Sequence, residues 1–131
     1  MLSINDTQLV ILDIQGKLSQ IVYQSEEVLK HSSSLVQGCQ LLDIPIIWVE
    51  QTPEKLGAPS ALIAQHLTGQ SPIAKATFSA YGTSAFVEAV KANARKQVLL
   101  IGIETHICIY QTAMDLIAAG QGVFGVGAAV S

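Results

Sequence analysis

Three side chains in this sequence could do covalent chemistry together: the thiol of Cys108, the carboxylate of Asp13 and the ammonium of Lys75. Cys108 falls within "LLIGIETHICIYQTAMDLIAAG" (Leu99 to Gly120), where an apolar run meets a glycine and then a Glu-Thr-His turn. A thiol at the first residue of the helix that follows would lie at the positive end of the helix dipole. A neighbouring lysine would favour the thiolate further. An aspartate beside the thiol could take its proton as general base, although its own charge opposes a thiolate; the lysine would hold that aspartate ionised and offset its charge. Backbone N–H groups in the Glu104 to Cys108 turn could form an oxyanion hole. Such a set suits acyl transfer through a thioester. Each residue also has a plainer reading, since an aspartate at a strand end often caps a helix or sits in a solvated turn and a lone lysine in a polar segment usually faces water. Spacing alone leaves both readings open.

The elements that must position these groups are legible as apolar runs alternating with helical patterns. "TQLVILDI" (Thr7 to Ile14), "IPIIWVE" (Ile44 to Glu50) and "QVLLIGI" (Gln97 to Ile103) read as strands buried on both faces. "SEEVLKHSSSLVQGCQLLD" places Val28, Ser32, Leu35, Val36, Cys39 and Leu42 on one helical face, with Ser25 as its N-cap and Pro45 preventing continuation. "QTPEKLGAPS" is a loop, and a short helix follows over about residues 60–67. "SPIAKATFSAY" contains a brief extended piece carrying Lys75, and Thr83 or Ser84 then caps a helix whose apolar face includes Phe86, Val87 and Val90. The helix from Cys108 to Ala119 ends at Gly120, and "GVFGVGAAVS" opens another strand. This alternation predicts a doubly wound α/β sandwich, with helices on both faces of a mostly parallel sheet. In such sheets, sites form at the carboxyl ends of the strands beside the switch point, where Asp13, Lys75 and Cys108 would meet.

Composition narrows the function classes. The chain has 131 residues, enough for one domain with a real core; half are hydrophobic and only 13% are charged. Mean hydropathy is +0.43, greasy for a monomer, so a homo-oligomer that hides part of this surface is expected. A net charge of −3, with seven Lys plus Arg and no basic cluster, offers no footprint for nucleic acid. No apolar run reaches the roughly 18 to 20 residues that cross a bilayer, and Met1 to Leu12 lacks the features of a signal peptide. Neither a membrane nor a secretory route is expected, and the predicted location is cytoplasmic. Two cysteines make no disulfide framework, and Cys39, in a helical pattern, reads as core.

The blocks "LVILDIQGKL", "KATFSAY" and "VLLIGIETHICIYQTAMDLIAAGQGV" together resemble the isochorismatase-like cysteine hydrolases, a superfamily that includes nicotinamidases and N-carbamoylsarcosine amidohydrolase. The match runs in order through nearly the whole chain, and "EQTPEKLG" resembles the isochorismatase-domain subgroup, whose substrates are mostly unassigned. The resemblance implies a three-layer α/β/α sandwich. It makes Cys108 the nucleophile, Asp13 the proton acceptor and donor, and Lys75 the stabiliser of charge. It also implies a non-proline cis peptide between Ile103 and Glu104, which aims the N–H groups of Glu104 and Cys108 at an oxyanion. Family chains usually continue into a further helix and a last parallel strand, which the sequence to Ser131 does not contain. They also commonly carry an aspartate where "GAAVS" has Ala128.

Other residues complete the expected site. Glu50 and Gln51 end the second strand and could contact a small-molecule substrate, or serve in a solvated loop. Tyr81, Thr105 and His106 could line the pocket; His106 is conceivable as the partner in a Cys–His dyad, yet Asp13 already offers a base. Metal-binding members of the resembled family use an aspartate and histidines in the loop after the second strand; "VEQTPEKLG" has no histidine, and no metal is predicted. His31 and His66 lie in helical stretches and read as structural or surface residues. Gly102 alone, without G-x-G-x-x-G spacing, predicts no dinucleotide, so no cofactor is expected. Two further functions remain open on this reading: a non-catalytic oligomeric binding protein that keeps the pocket, or a thiol redox-responsive protein acting through Cys108.

Overall fold

Continuous apolar runs become strands here because each has two faces to bury. The computed structural model describes residues 2–12, 25–51, 61–75, 79–102 and 109–130. Its strands are β1 (Thr7–Leu12), β2 (Ile46–Gln51), β3 (Ile73–Lys75), β4 (Gln97–Gly102) and β5 (Gly122–Val130). They form one sheet in the order β3-β2-β1-β4-β5, and every pairing is parallel. The helices are α1 (Ser25–Leu41), α2 (Ala61–Ala64), α3 (Ser84–Asn93) and α4 (Tyr110–Ala118). All six residues of β1 are buried, which explains a run with no polar alternation at the centre of the sheet.

The two faces hold separate cores. Leu9, Ile11, Trp48 and Ile101 pack with Leu29, Val36 and Cys39 of α1 and with Ile63 of α2. Val10, Leu12, Ile47, Val49, Val98 and Leu100 pack on the other face with Phe86 and Val90 of α3 and Leu116 of α4. Each such side chain contributes roughly 1.5–3 kcal/mol by leaving water, so the expected α/β/α sandwich is held from both sides. Among the described residues no helix is long and apolar enough to cross a membrane.

Two boundaries differ from the sequence reading, one of them the end of the short helix α2, which closes at Ala64 rather than near Leu67. The second strand starts at Ile46 rather than Ile44, because Ile44 closes the end of α1: its N–H donates to the Cys39 carbonyl at 2.8 Å, after Asp43 adopts a positive φ of 55°. The last helix is described from Tyr110, and Ile109 before it already holds helical dihedrals (φ −67°, ψ −50°); the expected start at Cys108 lies outside the described residues. Its end is as expected. Gly120 takes a φ of 93°, and the Gly120 and Gln121 N–H groups donate back to the carbonyls of Ile117 and Leu116, both at 3.0 Å.

One buried polar side chain ties β1 to the end of α3. Gln8 is fully buried; its amide donates to the Arg95 carbonyl at 3.1 Å and accepts from Asn93 Nδ2 at 2.9 Å. Gln8→Leu should lower stability by about 2 kcal/mol, because the partners are left unsatisfied. Urea unfolding checks this, with a lower midpoint and an unchanged slope expected.

Candidate active site

The switch point of this sheet lies between β1 and β4, from which the chain turns outward in both directions. Their carboxyl ends are level, with Leu12 paired to Gly102. The approach is unusually close. A Cβ built on Gly102 would overlap the Leu12 carbonyl oxygen and lie 2.9 Å from Ile109 Cδ1. Gly102 also has a φ of +154°, so glycine is required both by space and by backbone. Its bare α-carbon lets Ile109, the residue after Cys108, seat over the end of β4, where Ile109 is buried in the same cluster as Leu12.

Lys75 closes β3, paired with Gln51 of β2, while Leu12 is paired with Val49. Strand alternation therefore puts Lys75 on the face of Ile73, Val49 and Leu12, toward α3 and α4. It is only 2% exposed, which a solvent-facing lysine would not be. A lysine buried this far is normally engaged, and Lys75 is not without a partner. Glu50 is also buried and partnered, but by the same alternation it shares Trp48's face, opposite Lys75. Tyr81 packs at the margin of the second core, its ring edge-on to Phe86 with centroids 6.3 Å apart. Asp13, Ile103, Glu104, Thr105, His106 and Cys108, with the Ile103–Glu104 peptide, lie outside the described residues; so does the side chain of Gln51. Burial pushes the Cys39 thiol up from its ordinary range, which leaves it the inert cysteine of the pair.

Sequence reasoning missed the contacts that hold the segment after Lys75. Ser79, Ala80 and Tyr81 form a tight turn that is bound to α4. The Ala80 N–H donates to Thr112 Oγ1 at 2.9 Å, the Ser79 hydroxyl donates to Asp115 Oδ2 at 2.6 Å, and the Tyr81 N–H donates to Ser79 Oγ at 3.2 Å. A signal was present: Thr112 stands one helical turn before Leu116, on the buried face of its helix. A hydroxyl at a core position needs a partner. His66, read as structural or surface in a helical stretch, lies in the turn after α2 and ties it to α1: its Nε2 lies 2.9 Å from Ser33 Oγ and 2.8 Å from Gln37 Nε2, both on α1. Among the described residues no cluster of His, Cys, Asp or Glu could hold a metal.

An all-parallel five-stranded sheet of this order, with helices on both faces, matches the fold of isochorismatase-like α/β proteins. The chain belongs to the isochorismatase domain family, whose model matches residues 7–131. It is 32% identical to isochorismatase family protein 1A of Dictyostelium discoideum, over 99% of this chain and 65% of that protein. The chain thus spans about two thirds of the length of that relative. Among solved structures it resembles MAR1 ribonuclease from Caenorhabditis elegans, with a TM-score of 0.91 and 30% identity, over 99% of this chain and 67% of that one. N-carbamoylsarcosine amidase from Thermoplasma acidophilum shares the fold, with a TM-score of 0.78 at 18% identity, covering 96% of this chain and 84% of the amidase.

Proposed function

We propose that this protein is a cysteine-dependent hydrolase of a small amide or related acyl compound. The observation that carries the reading is the level pairing of Leu12 with Gly102 at the switch point, with a buried Lys75 two strands away on the same sheet face as Leu12. Asp13 directly follows Leu12, and Cys108 directly precedes Ile109. In this reading the Cys108 thiol passes its proton to Asp13 and its sulfur attacks the substrate carbonyl carbon. The N–H groups of Glu104 and Cys108 hold the tetrahedral oxyanion, and Lys75 offsets the local negative charge. Collapse expels the amine, protonated by Asp13, and leaves a thioester on Cys108. Asp13 then deprotonates a water, which attacks the thioester to release the acid and restore the thiol. Glu50, Gln51, Tyr81, Thr105 and His106 are the proposed pocket residues. No cofactor enters these steps. The reading includes a cytoplasmic homo-oligomer, supported by Tyr110, Met114 and Ile117, which expose one apolar stripe of α4.

The test is iodoacetamide alkylation of Cys108 across pH, resolved by mass spectrometry, in the wild type and in Asp13→Asn, followed by a screen of small amides. The expected result is fast alkylation with a midpoint below that of an ordinary thiol, altered by the substitution, with Cys39 unreactive as internal control. An ordinary thiol profile in both proteins would leave a binding protein without catalysis. A peroxide-dependent mass gain on Cys108, reversed by thiol, would instead identify a redox protein. RNA belongs in the same screen because of the nematode relative's name, although the net charge of −3 argues against a polyanionic substrate.

A further inference from the structure

The nucleophile and the lysine arrive on separate elements, and β3 by itself holds the lysine poorly. It has three residues and lies at the edge of the sheet, paired on one side only. The chain beyond it is anchored elsewhere, through the bonds of Ser79 and Ala80 to α4. Thr112, which accepts the Ala80 N–H, lies in the first turn of α4 and is fully buried, as is Ala80. Water cannot replace that bond, so losing it leaves a buried N–H without a partner. Asp115, one turn further along, is exposed and accepts the Ser79 hydroxyl. Ser79 in turn accepts the Tyr81 N–H and closes the tight turn.

We infer that Thr112 is a positioning residue, assisted by Ser79 and Asp115, which locks the Lys75 segment to the helix that follows Cys108. The inference rests on the proposed reading of Cys108 as nucleophile and deepens it. The hydrogen bonds hold the chain to α4 four residues beyond Lys75, so in this reading the separation of the lysine charge from the thiol depends on α4 as well as on the edge strand. Charge–charge stabilisation weakens with distance and with water entry, so loosening this link should return the thiol toward its ordinary range.

The experiment is the pH profile of iodoacetamide alkylation at Cys108 in the whole chain. Thr112→Val, which keeps the shape and removes the hydroxyl, should raise the midpoint by about one pH unit. Lys75→Met should raise it in the same direction, and Thr112→Ser should restore the wild-type profile. Gln8→Leu is the stability control. It loosens α3, leaves the Ser79 turn bonded, and should keep the wild-type midpoint. Should Thr112→Val fail to fold, Asp115→Ala takes its place. Loss of that negative charge would by itself lower the midpoint, so a rise reports lost positioning.

An unchanged profile in Thr112→Val beside a shifted one in Lys75→Met would overturn the inference while leaving the nucleophile reading standing. It also falls if Gln8→Leu shifts as far as Thr112→Val, or if Lys75→Met shifts nothing. An ordinary thiol profile in the wild type would remove both the inference and the reading beneath it.

Discussion

Gly102→Ala is expected to destabilise the protein by about 3 kcal/mol or more, among the largest effects of any single methyl added to this chain. The new Cβ would overlap the Leu12 carbonyl oxygen and sit 3.0 Å from its carbon. Both are backbone atoms of a paired strand, which no change of rotamer can move. Relief requires β1 and β4 to part where Leu12 and Gly102 pair. It also displaces Ile109, whose Cδ1 lies 2.9 Å from the added carbon. The φ of +154° adds strain for any L side chain. Gly125, on β5, is the control: a Cβ there meets nothing within 4 Å, so Gly125→Ala should stay within about 0.5 kcal/mol of the wild type. Urea midpoints measure both. Similar midpoints for the two variants would mean that the close approach at Gly102 can relax.

The second large effect is on turnover. Cys108→Ala should reduce hydrolysis of any amide found in the screen by at least about 10³-fold, with the folded state kept. The other cysteine of the sequence cannot replace it, since Cys39 is buried in the core on the inner face of α1. Lys75→Met should cost less, because it removes supporting charge and leaves the bond-forming atom. The two variants separate by mass spectrometry of a slow substrate. The wild type and Lys75→Met should carry an acyl adduct, and Cys108→Ala should not. Unchanged turnover in Cys108→Ala would end the cysteine mechanism whatever the fold.

The sheet was readable because burial on both faces leaves an unmistakable mark. β1, β2 and β4 each supply residues to both cores, and such strands appear in the sequence as unbroken apolar runs. The end of α4 was readable from Gly120, whose type matches its backbone. The start of β2 was misread by two residues, since Ile44 is apolar in a turn as well as in a strand. The site was only partly legible. The place proposed for it at the strand ends follows from topology, whereas Asp13 and Cys108 as its members rest on resemblance to a known family. The burial of Lys75 could not be read, because a lone lysine in a short extended piece usually faces water and its shielding comes from elements distant along the chain. Thr112, Asp115 and Gln8 were missed for the same reason: a polar residue on a helix or strand looks solvated until its partner is known.

The central place of β1 in the sheet has a consequence for how the molecule comes into being. Its pairing with β2 joins Leu9 to Ile46, an early closure that synthesis permits once the first crossover has emerged. Its pairing with β4 reaches across 90 positions, from Thr7 to Gln97. At about 5–20 residues per second on the ribosome, that second edge of β1 stays unpaired for several seconds, with its N–H and C=O groups open to other chains. Closing so long a loop is slow, and the level pairing of Leu12 with Gly102 exists only afterwards. A nascent chain therefore carries an exposed sheet edge before its central strand ends are joined, and chaperone capture is the hazard of its early life.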